Sequence, residues 1–516
     1  MGEMLRTGRN LVRLCQIALI LARHDALFPF ERLAGTAPVL AFARLFRRRG
    51  AASGQRPGQR LAAALPALGP SFIKLGQALS TRADLVGEDI AVDLSMLQDR
   101  LPPFPGDEAR ASIEAELGKP IESLFQSFDL TPIAAASIAQ VHFAVNSAGE
   151  DVAVKVLRPG IARAFERDLD LFLWLADLVE RTQPGLRRLK PVAVVETFAA
   201  AVRAEMDLRL EAAAASELGE NLAHDPELRV PKVDWGRTGR QVLTLQRVAG
   251  IPIDERDALL AAGHDIGAIL GKAARTFFNQ VFRDGFFHAD LHPGNLFVAE
   301  DGAIVAVDFG VMGRLDRKTR YFLADMLVGF LGGDYRRVAR VHFNAGYIPE
   351  GQSFDAFVQA LRSIGEPILD RPMHEISVAR LLGQLFQITE QFEMETQPQL
   401  LLLQKTMLVA EGVGRILDSS VNMWMLARPL IEDWMRQNRG PEARLRDAAA
   451  DFAGLIERTP SMLRSLEAAL SRLAAEGATP GRAATAAARD GRVPGGLAVP
   501  LWIAALALLA IAAALW

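Results

Sequence analysis

At 516 residues the chain exceeds one ordinary domain, and we expect two lobes with appended segments. Half of the residues are hydrophobic and 23% are charged, which excludes a disordered chain. The formal net charge of −3 gives no overall attraction to nucleic acid, and we predict no nucleic-acid partner. The one cysteine, Cys15, excludes intramolecular disulfides and suits a reducing compartment.

Residues 1–110 predict a basic helical extension. Residues 11–22 form an apolar run that contains Arg13 and Gln16. A signal peptide is the alternative, but no Ala-x-Ala cleavage site follows, so the pattern favours an amphipathic helix at a membrane interface. Further arginines before residue 61 suit an anionic lipid surface, and a simple solvated face explains them equally well.

Residues 111–250 predict a mixed α/β lobe with a helical insertion. Alternating apolar residues predict strands over 138–145 and 152–156, joined by a turn at 147–150, and another strand over 241–248. Apolar spacing predicts helices over 161–181 and 192–218. A hinge at 249–250 would then lead into a larger helical lobe over 251–475.

A nucleotide site is predicted in the mixed lobe. Lys155 lies in a strand, where it can turn inward to the phosphates of ATP, and the segment 205–211 offers three acidic partners. Two of them, Asp207 and Glu211, would repel each other at i,i+4 on one helix unless Lys155 or a metal lies between them. A solvated acidic face with Arg209 is the alternative, and a partner as distant as Glu211 requires extra helices over 161–204.

A loop before Lys155 should cover the phosphates. Kinases carry glycines there, so that backbone N–H groups approach the phosphates closely, whereas this chain carries three alanines. The predicted loop consists of Ile133, Ala134, Ala135, Ala136, Ser137, Ile138, Ala139, Gln140 and Val141.

Residues 288–310 carry the strongest functional signal. Asp290 and Asn295 lie on one loop, and Asp308 begins an Asp-Phe-Gly turn after an apolar run. This is the spacing of a kinase catalytic loop and its metal-binding turn. Because phosphoryl transfer depends on positioning and charge neutralisation, we predict Asp290 as the catalytic carboxylate and Asn295 and Asp308 as Mg²⁺ ligands. A β-hairpin with polar tips is the plainer alternative.

Two departures from protein kinases bear on the acceptor. Ala289 stands where kinases commonly place the arginine that reads a phosphorylated activation loop. No Ala-Pro-Glu follows Gly310, and a helical pattern resumes at about Asp316. The chain therefore lacks room for a conventional platform for protein substrates.

The C-terminal end predicts a membrane anchor. Residues 476–496 have the Gly, Ala, Pro and Arg content of a linker. Residues 497–516 carry no charge, and about 20 residues just span a bilayer core. Trp502 and Trp516 suit the two interfaces, and arginines precede the run, which predicts a cytoplasmic catalytic body. A buried Ala/Leu helix is the alternative.

Together these residues resemble the UbiB family of atypical kinase-like ATPases linked to ubiquinone biosynthesis. The resemblance covers most of residues 65–345. It includes Lys74, Gly76 and Gln77 as the family's Lys-x-Gly-Gln, Glu205 and Asp207 as its Glu-x-Asp, the alanine-rich loop and the catalytic stretch.

The resemblance implies an α+β, bilobal protein-kinase-like fold. The N-terminal helical extension would occlude the active site, with Lys74 paired to Glu205 or Asp207 as a regulatory contact, and Glu211 would pair with Lys155. The implied cofactors are ATP and Mg²⁺. The implied partners are membrane lipid, quinone intermediates and quinone-biosynthesis enzymes at the bacterial inner membrane, with a homodimer as a further possibility.

The predicted function is therefore a membrane-attached kinase-like ATPase that uses Mg-ATP to support ubiquinone biosynthesis. Two alternatives stay open. One is a nucleotide-binding pseudokinase scaffold for quinone-biosynthesis enzymes. The other is a protein kinase that acts on a separate protein.

Overall fold

The computed structural model describes residues 2–27, 55–80, 86–95, 97, 101–182, 190–349, 351–367, 388, 391–394, 397–418 and 429–436. Within these ranges the chain forms an α+β fold, in which a mainly antiparallel sheet is followed by a largely helical part.

Within its described residues the N-terminal extension is mainly helical, as its sequence predicts. Its helices are α1 (Gly2–Arg23), α2 (Pro57–Leu68), α3 (Pro70–Ser80) and α4 (Glu88–Ser95). The sequence favours an amphipathic helix at a membrane interface here. In the structure, Ile17 and Leu21 of α1 are instead buried against the protein's own helices. Arg13 also pairs with the buried Asp168 at 2.9 Å. The face of α1 that carries Ile17 and Leu21 is thus covered by protein.

The mixed lobe is built on one sheet. Its elements in chain order are α5 (Gly106–Leu117), α6 (Ile121–Leu124), β1 (Phe125–Phe128), β2 (Ala134–Ala135), β3 (Ala139–Asn146), β4 (Asp151–Leu157) and, after three helices, β6 (Val242–Gln246). The strand order is β1-β3-β4-β6, with β2 also paired to β3, and every pairing is antiparallel. The predicted turn at 147–150 joins β3 to β4.

The helical insertion contains α7 (Ile161–Thr182), α8 (Pro191–Glu205) and α9 (Leu208–Asn221). The prediction of one helix over 192–218 was wrong, because the helix is interrupted at Met206 and Asp207. Asp207 caps α9, where its side chain accepts a hydrogen bond from the Arg209 N–H. Asp207 and Glu211 are therefore not i,i+4 neighbours within one helix, and Asp207 has its own cation in Arg209 at 2.6 Å.

The C-terminal part begins with short strands and helices. They are β5 (Leu228–Arg229), β7 (Ile251–Pro252), α10 (Arg256–Ala261), α11 (Ile266–Phe278), β8 (Phe286–His288), β9 (Leu296–Val298), β10 (Ile304–Ala306) and β11 (Met312–Arg314). β9 and β10 form the antiparallel hairpin between the two predicted polar clusters. β11 pairs with β8, which brings the chain after the Asp-Phe-Gly turn back beside the catalytic loop.

Four further helices follow, α12 (Arg317–Leu331), α13 (Tyr335–Ala345), α14 (Phe354–Gly365) and α15 (Pro398–Leu417). No helix in the described ranges is both long and apolar enough to cross a membrane. The predicted linker at 476–496 and the predicted span at 497–516 lie outside those ranges.

Candidate active site

Lys155 lies at the centre of a three-residue ion cluster. It is in β4 between Val154 and Val156, which are fully buried, so strand alternation turns its side chain to the opposite face. Its ammonium lies 2.8 and 2.9 Å from the two carboxylate oxygens of Glu211, on α9. The same ammonium lies 3.3 Å from Oδ2 of Asp308. One cation therefore joins a strand, a helix and the Asp-Phe-Gly turn.

Burial and neighbouring charges set the protonation states of this cluster. Burial lowers the pKa of Lys155, but Asp308 and Glu211 outweigh burial and raise it above its ordinary value. Partial desolvation raises the pKa of the half-exposed Asp308, yet the Lys155 ammonium and the Gly310 N–H together hold it below its usual range. Burial raises the pKa of Glu211, and the nearby Lys155 offsets only part of that rise. Lys155 thus stays charged beside the turn.

The Asp-Phe-Gly turn holds Asp308 in an unusual backbone conformation. Asp308 has φ of +63°, in the left-handed region that residues other than glycine rarely adopt. Its Oδ1 accepts a hydrogen bond from the Gly310 N–H at 3.1 Å, and the Phe309 ring is 1% exposed. Phe309 packs edge-on against His288, with 5.7 Å between the ring centroids. Burial of Phe309 fixes the turn while the Asp308 carboxylate stays half-exposed.

The catalytic loop is organised by hydrogen bonds from its own side chains. The Asp290 N–H donates to Nδ1 of the buried His288 at 3.2 Å. The Asn295 amide donates to the Asp290 carbonyl at 3.0 Å and to its Oδ2 at 3.4 Å. Because Asn295 uses its nitrogen on Asp290, its oxygen is the atom that suits a metal.

The donor chemistry near this loop fits Mg²⁺. Within the described ranges no group of three or more His, Cys, Asp or Glu side chains could hold a metal ion. Mg²⁺ usually takes one or two carboxylates and completes its shell with water and phosphate oxygens. The carboxylate of Asp308 and the amide oxygen of Asn295 fit this ligand set. These residues therefore suit a metal ion that binds together with a nucleotide.

The alanine-rich loop forms a narrow antiparallel turn against β3, the strand that pairs with β4 and its Lys155. Ala134 and Ala135 pair with Val141 and Gln140, and the Ala136 N–H donates to the Ala139 carbonyl at 2.8 Å. Ile133 is 51% exposed, whereas Ile138 and Ala139 are buried. Ser137 is also buried, and within the described chain its hydroxyl has no hydrogen-bond partner. A buried hydroxyl without a partner in this loop suits a phosphate oxygen as its acceptor.

Arg158, which the sequence does not single out, and Gln140, which belongs to the predicted loop, hold this loop in place. Arg158 donates to the Ala136 carbonyl at 2.8 Å and to the Pro102 carbonyl at 2.9 Å. The Gln140 amide bonds both the N–H and the carbonyl of Phe104, at 3.0 and 3.2 Å. Gln140 lies in the predicted nucleotide loop, but its side chain faces Phe104. The loop is therefore tied to the segment that leads in from the N-terminal extension.

The Lys-x-Gly-Gln segment lies on α3. Lys74 donates to Glu205 at 2.5 Å, so of the two acidic partners that the family resemblance offers, Glu205 takes Lys74 and Asp207 takes Arg209. Gly76 is buried, and a Cβ there would lie 2.5 Å from Leu65 and 2.6 Å from Leu97. Gln77 is partly buried, and its backbone carbonyl accepts from the Ser80 hydroxyl at 2.7 Å.

Two residues of α15 contact the catalytic loop, and the sequence does not predict either contact. The Lys405 ammonium lies 3.5 Å from Oδ1 of Asp290. The next residue, Thr406, donates from its hydroxyl to the Ala289 carbonyl at 3.1 Å and is fully buried. The polar Gln404-Lys405-Thr406 within an otherwise apolar run is the one sequence signal that could have marked it.

This fold and this arrangement of charges define a kinase-like protein. The model of the ABC1 atypical kinase-like domain matches residues 96–342, and that of the UbiB helical domain matches residues 361–422. A Marinobacter nauticus protein described as a probable protein kinase UbiB is 43% identical over 426 residues, which cover 82% of this chain and 78% of that protein. The chain belongs to the UbiB family.

Two further proteins are similar to this chain. A Xanthomonas axonopodis pv. citri protein with the same description is 42% identical, over 88% of this chain and 84% of its own. Among solved structures, a Mycobacterium tuberculosis protein in complex with erythromycin is 26% identical with a TM-score of 0.49, over 77% of this chain and 97% of that one.

Proposed function

We propose that this protein is a membrane-attached kinase-like ATPase that uses Mg-ATP to support ubiquinone biosynthesis in bacteria. The observation that carries the proposal is the contact of one ammonium, on Lys155, with both Glu211 and Asp308. In kinase-like sites this lysine holds the α- and β-phosphates, and the carboxylate of the turn holds the metal.

The protein's own residues would divide the work as follows. Lys155 would hold the phosphates of bound ATP, and Glu211 would keep its ammonium in place. Asp308 and Asn295 would hold Mg²⁺, which would supply charge neutralisation on the phosphates. Asp290, with its side chain 37% exposed, faces the acceptor and orients it.

The acceptor that we propose is water or a small lipid-linked molecule. Ala289 removes the arginine that would read a phosphorylated activation loop, and α12 begins at Arg317, soon after the turn. Lys74 anchors α3 to Glu205, only six residues before Glu211 in the chain. These features support a site that a protein substrate does not reach, with Lys74, Gly76 and Gln77 as a regulatory element.

A second candidate is a protein kinase that acts on a separate protein. The description of the Marinobacter and Xanthomonas relatives as probable protein kinases favours it. Transfer of labelled phosphate from ATP to cell proteins, lost in Asp290→Asn, would support this candidate. Labelled proteins that are identical with wild type and with Asp290→Asn would exclude it.

The pathway is tested by the quinone intermediates of a deletion strain, measured by mass spectrometry. We expect less ubiquinone and an accumulated precursor, with recovery from the wild-type gene and not from Asp290→Asn. A deletion strain with a normal quinone profile would contradict the pathway. Full recovery from Asp290→Asn would instead favour a nucleotide-binding scaffold for quinone-biosynthesis enzymes.

The membrane attachment is tested by removing residues 497–516. We propose that they form a single span of the inner membrane, because no charged residue interrupts them. Truncation should move the protein from the membrane fraction to the soluble fraction. A truncated protein that stays fully bound would contradict the C-terminal anchor.

A further inference from the structure

The helical part after the kinase-like domain contributes a charge to the catalytic loop. Lys405, on α15, lies 3.5 Å from Oδ1 of Asp290. Neither the kinase motifs nor the spacing of the catalytic stretch includes this lysine.

The backbone that carries Lys405 is held at several points. The buried Thr406 hydroxyl bonds the carbonyl of Ala289, the residue just before Asp290. Leu403 packs in one apolar cluster with Phe287 and Ala289. At the far end of α15, the Leu417 carbonyl accepts from Arg256 at 2.8 Å. A side chain on such a fixed helix keeps a defined position relative to the loop.

The Asp290 carboxylate is thus held from two sides. Asn295 donates to Oδ2 at 3.4 Å, and the Lys405 ammonium lies beside Oδ1 at 3.5 Å. Both members of the Lys405 pair are partly open to solvent, at 42% and 37% exposure, so an acceptor can reach the carboxylate. The methyl group of Ala289, the residue before Asp290, cannot orient the carboxylate in this way.

We propose that Lys405 is a positioning residue for Asp290, and that the helical part thereby completes the catalytic site. Without its charge, the carboxylate is oriented by Asn295 alone and rotates away from the acceptor for part of the time. Because rates fall steeply when a reacting group is misplaced, removal of Lys405 acts on turnover more than on nucleotide binding. The inference rests on the proposed ATPase activity.

The test compares steady-state ATP hydrolysis by the full chain with Mg²⁺ and lipid vesicles. Lys405→Met keeps most of the length of the side chain and removes the charge. We expect kcat to fall by about 10- to 100-fold, with KM for ATP changed by less than about twofold. Lys405→Arg should recover most of the lost turnover. Lys318→Met is the matched control, because the Lys318 ammonium lies over the Phe322 ring on α12. It should leave kcat unchanged.

The outcomes separate this inference from the proposed function. A wild-type protein that hydrolyses no ATP would remove both. An active wild type with an equally active Lys405→Met would overturn the role of Lys405 and leave the ATPase intact. If Lys405→Met lowers the thermal unfolding midpoint and Lys405→Arg restores stability without restoring kcat, the lysine is structural and the inference fails.

Discussion

Lys74 and Glu205 form an ion pair between α3 and the end of α8, across 131 residues of chain. Both side chains are mostly buried, at 14% and 23% exposure, so the pair holds the N-terminal extension more firmly than a surface pair would. Because α9 with Glu211 follows Glu205 after two residues, the pair links the extension to the nucleotide site.

Breaking this pair should change nucleotide handling without unfolding the protein. We expect Lys74→Ala to alter ATP affinity or turnover by about fivefold or more, measured by equilibrium binding and by hydrolysis. Arg203→Ala is the control, because Arg203 lies on α8 like Glu205 and its ion pair, with Glu166 of α7, is exposed. Unaltered ATP affinity and turnover in Lys74→Ala would count against the regulatory role.

Close packing of α3 should make Gly76 intolerant of even one methyl group. In Gly76→Ala the new Cβ meets both Leu65 and Leu97, and we expect a loss of about 1–3 kcal/mol in the free energy of unfolding, measured with urea. Gly412→Ala on α15 is the control, because a Cβ there meets nothing within 4 Å. The control should gain up to about 1 kcal/mol from helix propensity. Equal effects of the two substitutions would show that the packing at Gly76 is loose.

Arg158 should act on ATP binding through the alanine-rich loop. Arg158→Ala removes the donors that tie Ala136 to Pro102, and we expect KM for ATP to rise by about fivefold or more with a smaller change in kcat. Arg237→Ala is the control, since Arg237 also donates to a backbone carbonyl of this lobe, that of Leu124, and does not contact the loop. A KM that rises equally in both variants would assign the effect to general loosening of the lobe.

Histidines that are buried or partly buried should make the protein less stable in mild acid. Burial lowers the pKa values of His142 and His288, and partial burial lowers the pKa of His342. The unfolded chain takes up protons below its ordinary histidine pKa of about 6.5, whereas the folded chain resists them. The contribution of these histidines to stability is therefore fully present above about pH 6.5, and it declines as the pH falls below that value.

The thermal unfolding midpoint at pH 7.5 and pH 5.5 measures this decline. The wild type should unfold at a lower temperature at pH 5.5. His342→Phe keeps an aromatic ring beside Phe357 and Tyr347 and should show a smaller difference between the two pH values. An identical difference in the variant would mean that His342 contributes nothing to the pH dependence.

Local sequence patterns predict most of the kinase-like fold and the positions of its charged groups. Alternation in β4 turns Lys155 inward, and the hairpin of β9 and β10 lies between Asn295 and Asp308 as their spacing predicts. These features depend on neighbours in the sequence, so the sequence alone can reveal them. The helices over 161–204 follow from the separation in sequence between Lys155 and Glu211, which is 56 residues.

Features that depend on tertiary packing are not predictable in the same way. The apolar spacing runs through Met206 and Asp207, although the chain breaks there and Asp207 becomes a helix cap. An aspartate can cap a helix or lie within one, so the residue type alone does not predict where the helix ends. Lys405 reaches Asp290 only because α15 packs across the loop, and no sequence spacing encodes that contact.

The measurement that tests the central claim most directly is Mg²⁺-dependent ATP hydrolysis by the purified full chain in lipid vesicles, with Asp290→Asn and Asp308→Asn as variants. We predict that the wild type hydrolyses ATP only with Mg²⁺. Asp290→Asn should still bind ATP and lose at least about 100-fold in turnover, whereas Asp308→Asn should lose the dependence of ATP binding on Mg²⁺. A wild type that neither binds nor hydrolyses ATP, or an Asp290→Asn variant as active as the wild type, would contradict the account.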